Sequence, residues 1–269
     1  MRIISPSLVA AGAVPVLITI IAATPADRPP PSRADADIPR FAPVGAVVEP
    51  GLHDSTNDNA IASADAALRA LGLRVRISSH PEALRTAFTA YYNYRDANPD
   101  EVKKPYLYYV DMGLDNHTAR GYVFDMDSHA IVDGPFTVAH GRGSARTRDG
   151  VPTSFSNRPG SYATSLGLYL AQETYSFSGT SGGRRYSSVG LRMRGESGEF
   201  NDAARRRGIV AHGAPYVSAG QAGRSEGCPA MEMDRAQHLL PLIANGGVVF
   251  IYSPADGRWL RSDPWILVD

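Results

Sequence analysis

Runs of β-forming residues after Pro105, divided by Gly, Asp and Asn, constrain the fold of this chain most strongly. They are YLYYVDM at 106–112, RGYVFDMD at 120–127, HAIVDGPFTVAHG at 129–141 and GVVFIYS at 247–253. Branched and aromatic runs bounded by turn residues are typical of strands. The alternation YVFDM at 122–126 predicts a half-buried strand. Between residues 141 and 208 Gly and Ser are dense, so we expect residues 105–269 to form a loop-rich, mainly β domain.

Helical periodicity is found mainly before these strands. The apolar positions that recur at helical spacing are Ile61, Ala64, Ala67, Leu68 and Leu71, followed by a plausible stop at Gly72. A second helix opens at Ser79–Pro81, and its apolar face is Leu84, Phe88 and Tyr91 or Tyr92. We expect residues 53–104 to be a helical segment that packs on the following domain and carries no chemistry.

One further helix is expected within the β domain, at about Asp234–Ala244. Asp234 and Gln237 have the spacing of a capping box, in which two side chains satisfy free backbone N–H groups at a helix start. Asn245–Gly247 supplies a stop.

The N-terminus has the pattern of an export signal. Arg2 precedes a largely apolar run to Ala23, and small residues follow. We interpret residues 1–26 as a cleaved signal peptide; the alternative is an uncleaved anchor that tethers the protein to a membrane. Residues 27–52 are rich in proline and form a linker. Both alternatives place the protein outside the cytoplasm, in the periplasm or cell envelope.

The charge balance argues against a nucleic-acid partner. Lys plus Arg and Asp plus Glu are 27 each, so no overall positive field attracts a polyanion.

The chain has one cysteine, which excludes an intrachain disulfide and a structural zinc held by several thiolates. The histidines show no paired metal-ligand spacing, so we expect no metal and no cofactor. A lone cysteine is either a buried structural thiol or a reactive one.

The residues around Cys228 favour the reactive alternative. A short apolar run ends at His212-Gly213, and after eleven intervening residues the chain reads Ser225-Glu226-Gly227-Cys228. A thiol is mostly protonated at neutral pH and needs a base, which a histidine at a strand end can supply. Gly227 leaves room for a substrate carbonyl beside the sulfur, with backbone N–H groups facing its oxyanion.

This arrangement resembles the L,D-transpeptidase catalytic domain, whose signature is His-Gly, a variable loop, then Ser/Thr-His-Gly-Cys. HGRGS at 140–144, SLG at 165–167 and GRSEGCPA at 223–230 fit its divergent murein L,D-transpeptidase branch. The resemblance covers roughly residues 106–254. It implies a sandwich-like mixed β-sheet.

The resemblance also implies a function: acyl transfer on peptidoglycan stem peptides that forms 3–3 cross-links and releases D-Ala. Cys228 would be the nucleophile and His212 its base, oriented by the backbone carbonyl of Gly213, while Gly227 would contribute to the oxyanion site. A thiol nucleophile of this kind should also be acylated by carbapenems.

Other residues of the motif carry open alternatives. Arg224 would bind a substrate carboxylate or form a structural ion pair. Ser225 belongs to the turn more readily than to the chemistry. His140 and Arg142 would line the same cleft, or be a structural histidine and a surface arginine.

Two positions depart from the common motif: Glu226 stands where it has His, and Ala230 where it has Arg or Asn. A carboxylate facing the sulfur would raise the thiol pKa, and Arg224 would offset it.

Three other functions remain open. Water could capture the acyl-enzyme, giving an L,D-carboxypeptidase, or the same site could attach or release an envelope protein. A non-catalytic wall-binding scaffold is the third.

Overall fold

The structure, a computed structural model, describes residues 52–147 and 150–266, and only the backbone of residues 52–57. The predicted signal or anchor at 1–26 and the Pro-rich linker up to residue 51 lie outside these ranges. None of the helices within them combines the length and the hydropathy needed to cross a bilayer.

The strands of the described ranges begin where the first β-forming run was predicted. They are β1 (Tyr106–Asp111), β2 (Gly121–Asp125), β3 (Ala130–Phe136), β4 (His140–Gly141), β5 (Gly167–Ser181), β6 (Arg184–Gly195), β7 (Val210–Gly213), β8 (Val217–Ser218), β9 (Gln221–Ala222), β10 (Arg224–Ser225), β11 (Ala230–Met231) and β12 (Val248–Tyr252).

The helices are α1 (Leu52–Leu71), α2 (Ala83–Ala97), α3 (Met233–Ile243) and the short α4 (Gly257–Leu260), with 3-10 turns at Gly72–Arg74 and Gly198–Phe200. The predicted apolar faces of α1 and α2 supply core residues; those buried are Ala64, Ala67, Leu71, Leu84, Phe88, Tyr91 and Tyr92. The predicted Ile61 and Leu68 are half-buried, and Ala60, which was not predicted, is buried in addition. The two helices contact each other, and α2 also contacts β1 and β12.

A mixed sheet organises the described domain. Its strand order is β11-β7-β6-β5-β12-β1-β2-β3, with parallel pairing of β11 to β7 and of β1 to β12. The remaining neighbours are antiparallel. The expected mixed, sheet-rich domain with N-terminal helices is therefore confirmed.

Strand β2 differs from its prediction. The alternation indicated one solvated face, yet Tyr122, Val123 and Phe124 are all buried. Tyr122 and Phe124 stack on one face at 5.6 Å, and α2 covers that pair through Phe88. Val123 is fully buried on the opposite face, so both faces of this strand are covered.

Strands β5 and β6 form a long hairpin that the sequence did not define. Gly182 and Gly183 join them with φ of 55° and 76°, the left-handed conformations that a tight hairpin turn requires. Neighbouring strands pair with β5 only at 167–170 and with β6 only at 190–192. The distal half of the hairpin therefore extends past the ends of the neighbouring strands, beside the end of β7.

Helix α3 exists where it was predicted, but its capping box does not. The helix begins at Met233, after Glu232, which makes no side-chain cap bond. The predicted stop is present, since Asn245 and Gly246 both have positive φ, 62° and 118°.

Candidate active site

His212 lies on β7, between β6 and β11, and its side chain is held on several sides. Its Nδ1 is 3.0 Å from the carbonyl oxygen of Gly213. The ring stacks on Phe177 of the hairpin, with centroids 4.2 Å apart, and meets Tyr216 edge-on at 6.5 Å. The imidazole is therefore buried and fixed in one orientation.

The bond to Gly213 determines where the imidazole carries its proton. A carbonyl oxygen only accepts, so Nδ1 must be the donor and the neutral ring keeps its lone pair on Nε2. Burial lowers the pKa of His212, and the bond to Gly213 opposes that shift. A neutral imidazole with a free Nε2 is suited to accept a proton.

The turn that carries Cys228 connects β10 to β11 and is held by Ser225. The Ser225 hydroxyl donates to the carbonyl oxygen of Cys228 at 2.6 Å and accepts from the Gly227 N–H at 3.1 Å. Gly227 has φ of 129°, and a Cβ there would lie 2.8 Å from the Ile209 side chain. The positive φ favours glycine, since residues with a Cβ rarely adopt this conformation.

The thiol of Cys228 is half-buried and protonated at rest. Its Sγ lies 3.8 Å from the carbonyl oxygen of Gly208. Burial raises the thiol pKa to about 11; the Val210 backbone N–H and the charge of Arg207 lower it, while Glu226 raises it. Within the described residues the thiol makes no hydrogen bond to His212. Both side chains are neutral in this conformation.

Cys228 and His212 both line one cleft of about 780 Å³. Three of the predicted substrate-binding residues, Arg142, Arg224 and Ser225, line it as well. The remaining lining residues include the hairpin positions 177–180 and 186, the loop positions 159, 160 and 162, and the run Arg206–Ile209. The structure therefore brings the predicted nucleophile, base and three binding residues to one open cavity.

Comparison with known proteins agrees with this geometry. Residues 76–252 match the family described as the L,D-transpeptidase catalytic domain, which is well over half of the chain. The chain belongs to the L,D-transpeptidase catalytic domain family. This is a family of cell-wall cysteine enzymes that act on peptidoglycan stem peptides. No curated protein matches the chain.

Solved L,D-transpeptidase structures are similar at low identity. One from Mycobacterium smegmatis is 14% identical over 55% of this chain and 58% of its own, with a TM-score of 0.34. One in complex with imipenem is 15% identical over 55% of this chain and 59% of its own, with a TM-score of 0.35. One from Stackebrandtia nassauensis is 12% identical over 77% of this chain and 94% of its own, with a TM-score of 0.34. The chain thus spans less than two thirds of the first two.

At the motif position where L,D-transpeptidases commonly have His, this family member directs Glu226 to the cleft mouth. Its carboxylate is 3.7 Å from Arg142, whose guanidinium lies 3.5 Å from the centre of the Tyr162 ring. Glu226 is mostly exposed, which weakens its effect on the sulfur. The sequence predicts that Arg224 offsets the effect of Glu226 on the thiol pKa, and this is not seen. Instead Arg142 pairs with Glu226, and Arg207 lowers the thiol pKa.

His140 does not line the cleft, so that expectation is wrong. It has no exposed surface, and its Nδ1 accepts from the buried guanidinium of Arg120 at 2.9 Å. Strand β4, which carries it, pairs with β10 beside Arg224. Burial, Arg120 and Arg224 together lower the pKa of His140 to about 3. His140 is therefore a neutral, buried histidine beside the strand that precedes the Cys228 turn.

The expected oxyanion role of Gly227 also needs correction. Its N–H is already bonded to the Ser225 hydroxyl. The Cys228 N–H makes no hydrogen bond within the described residues, so it is the backbone donor left open at the turn.

Sequence reasoning missed three residues of the candidate site: Phe177, Tyr216 and Arg207. The two aromatic residues contact the imidazole from segments that read as Gly- and Ser-rich loops. The run of three arginines at 205–207, directly before the strand of His212, was the available signal for Arg207. Among the described residues, no group of three or more His, Cys, Asp and Glu could hold a metal ion.

Proposed function

We propose that this protein is a peptidoglycan L,D-transpeptidase that uses Cys228 as nucleophile and His212 as base. The observation that carries the proposal is that the single thiol and an imidazole with a free Nε2 line the same open cleft. Membership of the L,D-transpeptidase family supports the reaction class. We place it in the cell envelope, the compartment of its substrate.

The first half-reaction would form a thioester. Substrate binding turns the thiol from the Gly208 carbonyl towards His212, whose Nε2 takes the proton. The sulfur attacks the carbonyl on the L-centre of diaminopimelate in a tetrapeptide stem, and the Cys228 N–H stabilises the oxyanion. Collapse breaks the bond to D-Ala, whose amine takes the proton from the imidazolium of His212.

The second half-reaction would consume the thioester. The amine of a second stem attacks the acyl carbon and gives a proton to His212, and the C–S bond breaks. The sulfur recovers its proton, and a 3–3 cross-link remains.

Arginines at the cleft would bind the carboxylates of the stem peptide. Arg224 has no ion-pair partner among the described residues, so its guanidinium is available to a carboxylate. Arg142 is shared with Glu226, which leaves it a weaker binding group. Ser225 acts on the substrate only through the turn that it holds.

Muropeptide profiling tests the proposal. Purified protein incubated with tetrapeptide muropeptides should release D-Ala and yield 3–3 dimers, whereas Cys228→Ala should yield neither. Trimmed monomers without dimers would replace the transpeptidase by an L,D-carboxypeptidase. If neither the wild type nor Cys228→Ala changes the substrate, the remaining interpretation is a non-catalytic wall-binding protein.

Carbapenem acylation of Cys228 follows from the same chemistry. The sulfur would open the lactam ring and remain acylated, adding one intact drug mass. Intact mass spectrometry should find that adduct on the wild type and not on Cys228→Ala.

A further inference from the structure

Arg207, the last residue of the arginine run, has its guanidinium fixed by one segment of the cleft wall. Its terminal nitrogens donate to the carbonyl oxygens of Ser156 and Ala163, both at 2.7 Å, and to the hydroxyls of Ser161 and Ser165, at 3.1 and 3.2 Å. All four acceptors belong to residues 156–165, the segment that places Tyr162 at the cleft. Every one of them is neutral.

The same guanidinium lies against the turn of the nucleophile. A Cβ on Gly227 would be 3.6 Å from Nη2 of Arg207, so this nitrogen packs beside the residue that precedes Cys228. The residue after Arg207 is Gly208, whose carbonyl oxygen holds the thiol. Arg207 therefore contacts the cleft wall with its side chain and adjoins the resting position of the sulfur with its backbone.

The charge of Arg207 is not neutralised by any described residue. It has no ion pair within the part of the chain that the structure describes, whereas Arg142 pairs with Glu226 and Arg205 with Glu173. A half-buried cation whose partners are all neutral keeps its full field on nearby groups. Consistently, Arg207 is the cation that lowers the pKa of the Cys228 thiol.

We propose that Arg207 is a positioning residue for the nucleophile: it clamps segment 156–165 against the Cys228 turn and holds an unpaired positive charge beside that turn. The inference rests on the proposed function in taking Cys228 as the nucleophile. Its chemical value is to stabilise the thiolate and the tetrahedral anion that burial and Glu226 disfavour. Arginine suits the task because its planar fork of donors satisfies several fixed acceptors and still carries charge.

Substitutions that separate the charge from the hydrogen bonds test this role. Arg207→Lys keeps the charge and loses most of the bonds, whereas Arg207→Gln keeps some bonding and loses the charge. Arg205→Gln is the matched control, since Arg205 lies two residues away, is exposed and is absent from the cleft. The measurement is the rate of Cys228 alkylation by iodoacetamide as a function of pH, with thermal melting of each variant.

We expect Arg207→Gln to alkylate about tenfold more slowly than wild type at any pH below the thiol pKa, because a nearby opposite charge shifts the pKa of an ionisable group by about one unit or more. Arg207→Lys should stay within about threefold of wild type, and the control should be unchanged. Equal rates for the Lys and Gln variants would overturn the proposal. Failure of both variants to fold would assign Arg207 to the fold alone and would overturn it too.

This test is independent of turnover. A chain that alkylates as expected but cross-links no muropeptide would retain the role of Arg207 and lose the proposed function. If the wild type cross-links muropeptides and both Arg207 variants alkylate at the wild-type rate, the proposed function would be retained and the role of Arg207 would be lost.

Discussion

At the scale of single residues, His140 shows how burial keeps a titratable side chain uncharged in this domain. His140 is sealed between Arg120 and the β10 strand, and its folded-state pKa of about 3 lies far below the ordinary 6.5. The unfolded chain therefore binds a proton at this position at pH values where the folded chain does not. Stability from this residue is fully present above pH 6.5 and is lost as the pH falls from 6.5 towards 3.

His140→Asn should remove that pH dependence. Asn can still accept from Arg120 but does not titrate. Between about pH 7 and about pH 5 the wild type should lose about 2 kcal/mol of unfolding free energy through this residue, at 1.4 kcal/mol per pH unit. The measurement is urea denaturation at both pH values, with His238→Asn on the exposed side of α3 as control. Equal pH slopes for wild type and His140→Asn would contradict the assignment.

At the scale of elements, the β5–β6 hairpin joins the fold to the candidate site. Its proximal half is a buried part of the sheet, and its distal half brings Phe177 onto the His212 ring. The sequence predicted β1, β2, β3, β12 and the helices α1, α2 and α3 from their apolar patterns, but not the short α4. It did not predict the hairpin, because its Ser, Thr and Gly residues resemble those of a loop when cross-strand partners are unknown.

Phe177→Ala should impair the candidate site while leaving the fold in place. Without the ring, the imidazole gains freedom and solvent, so D-Ala release should slow by about tenfold or more. Because burial lowers the His212 pKa, exposure should raise it, and the acid limb of the pH–rate profile should move to higher pH.

Phe177→Leu keeps an apolar cover over the imidazole, so its rate of D-Ala release and its acid limb should lie between those of wild type and Phe177→Ala. Ser176→Ala, on the exposed face of the same strand, should match the wild type. An unshifted acid limb in Phe177→Ala would show that the stacking does not control the imidazole.

At the scale of the molecule, one hydrophobic core includes both the N-terminal helices and the sheet. Phe88 of α2 meets Phe124 of β2 edge-on at 5.5 Å, and Ser79 donates its backbone N–H to Asp111 at 2.8 Å. That Cys228 and His212 line one cleft could be predicted because their motif is local in sequence. Contacts from distant segments, such as those of Phe177 and Arg207, depend on the tertiary fold and could not.

A chain that begins at residue 105 should lose cooperative unfolding. It would expose the faces of β1, β2 and β12 that α2 covers, and no other described element replaces that cover. A chain that begins at residue 52 keeps both helices and is the control. Circular dichroism melting curves distinguish the two, and a cooperative transition in the shorter chain would show that the helices are dispensable.

The hydrogen bond between the Cys228 thiol and the Gly208 carbonyl has a consequence for chemical durability. Peroxides and disulfides are attacked by the thiolate form, and a sulfur that rests with its proton in place offers them little of it. In the proposed envelope location, where oxidised thiols persist, a resting sulfur that keeps its proton would be oxidised more slowly than a thiolate.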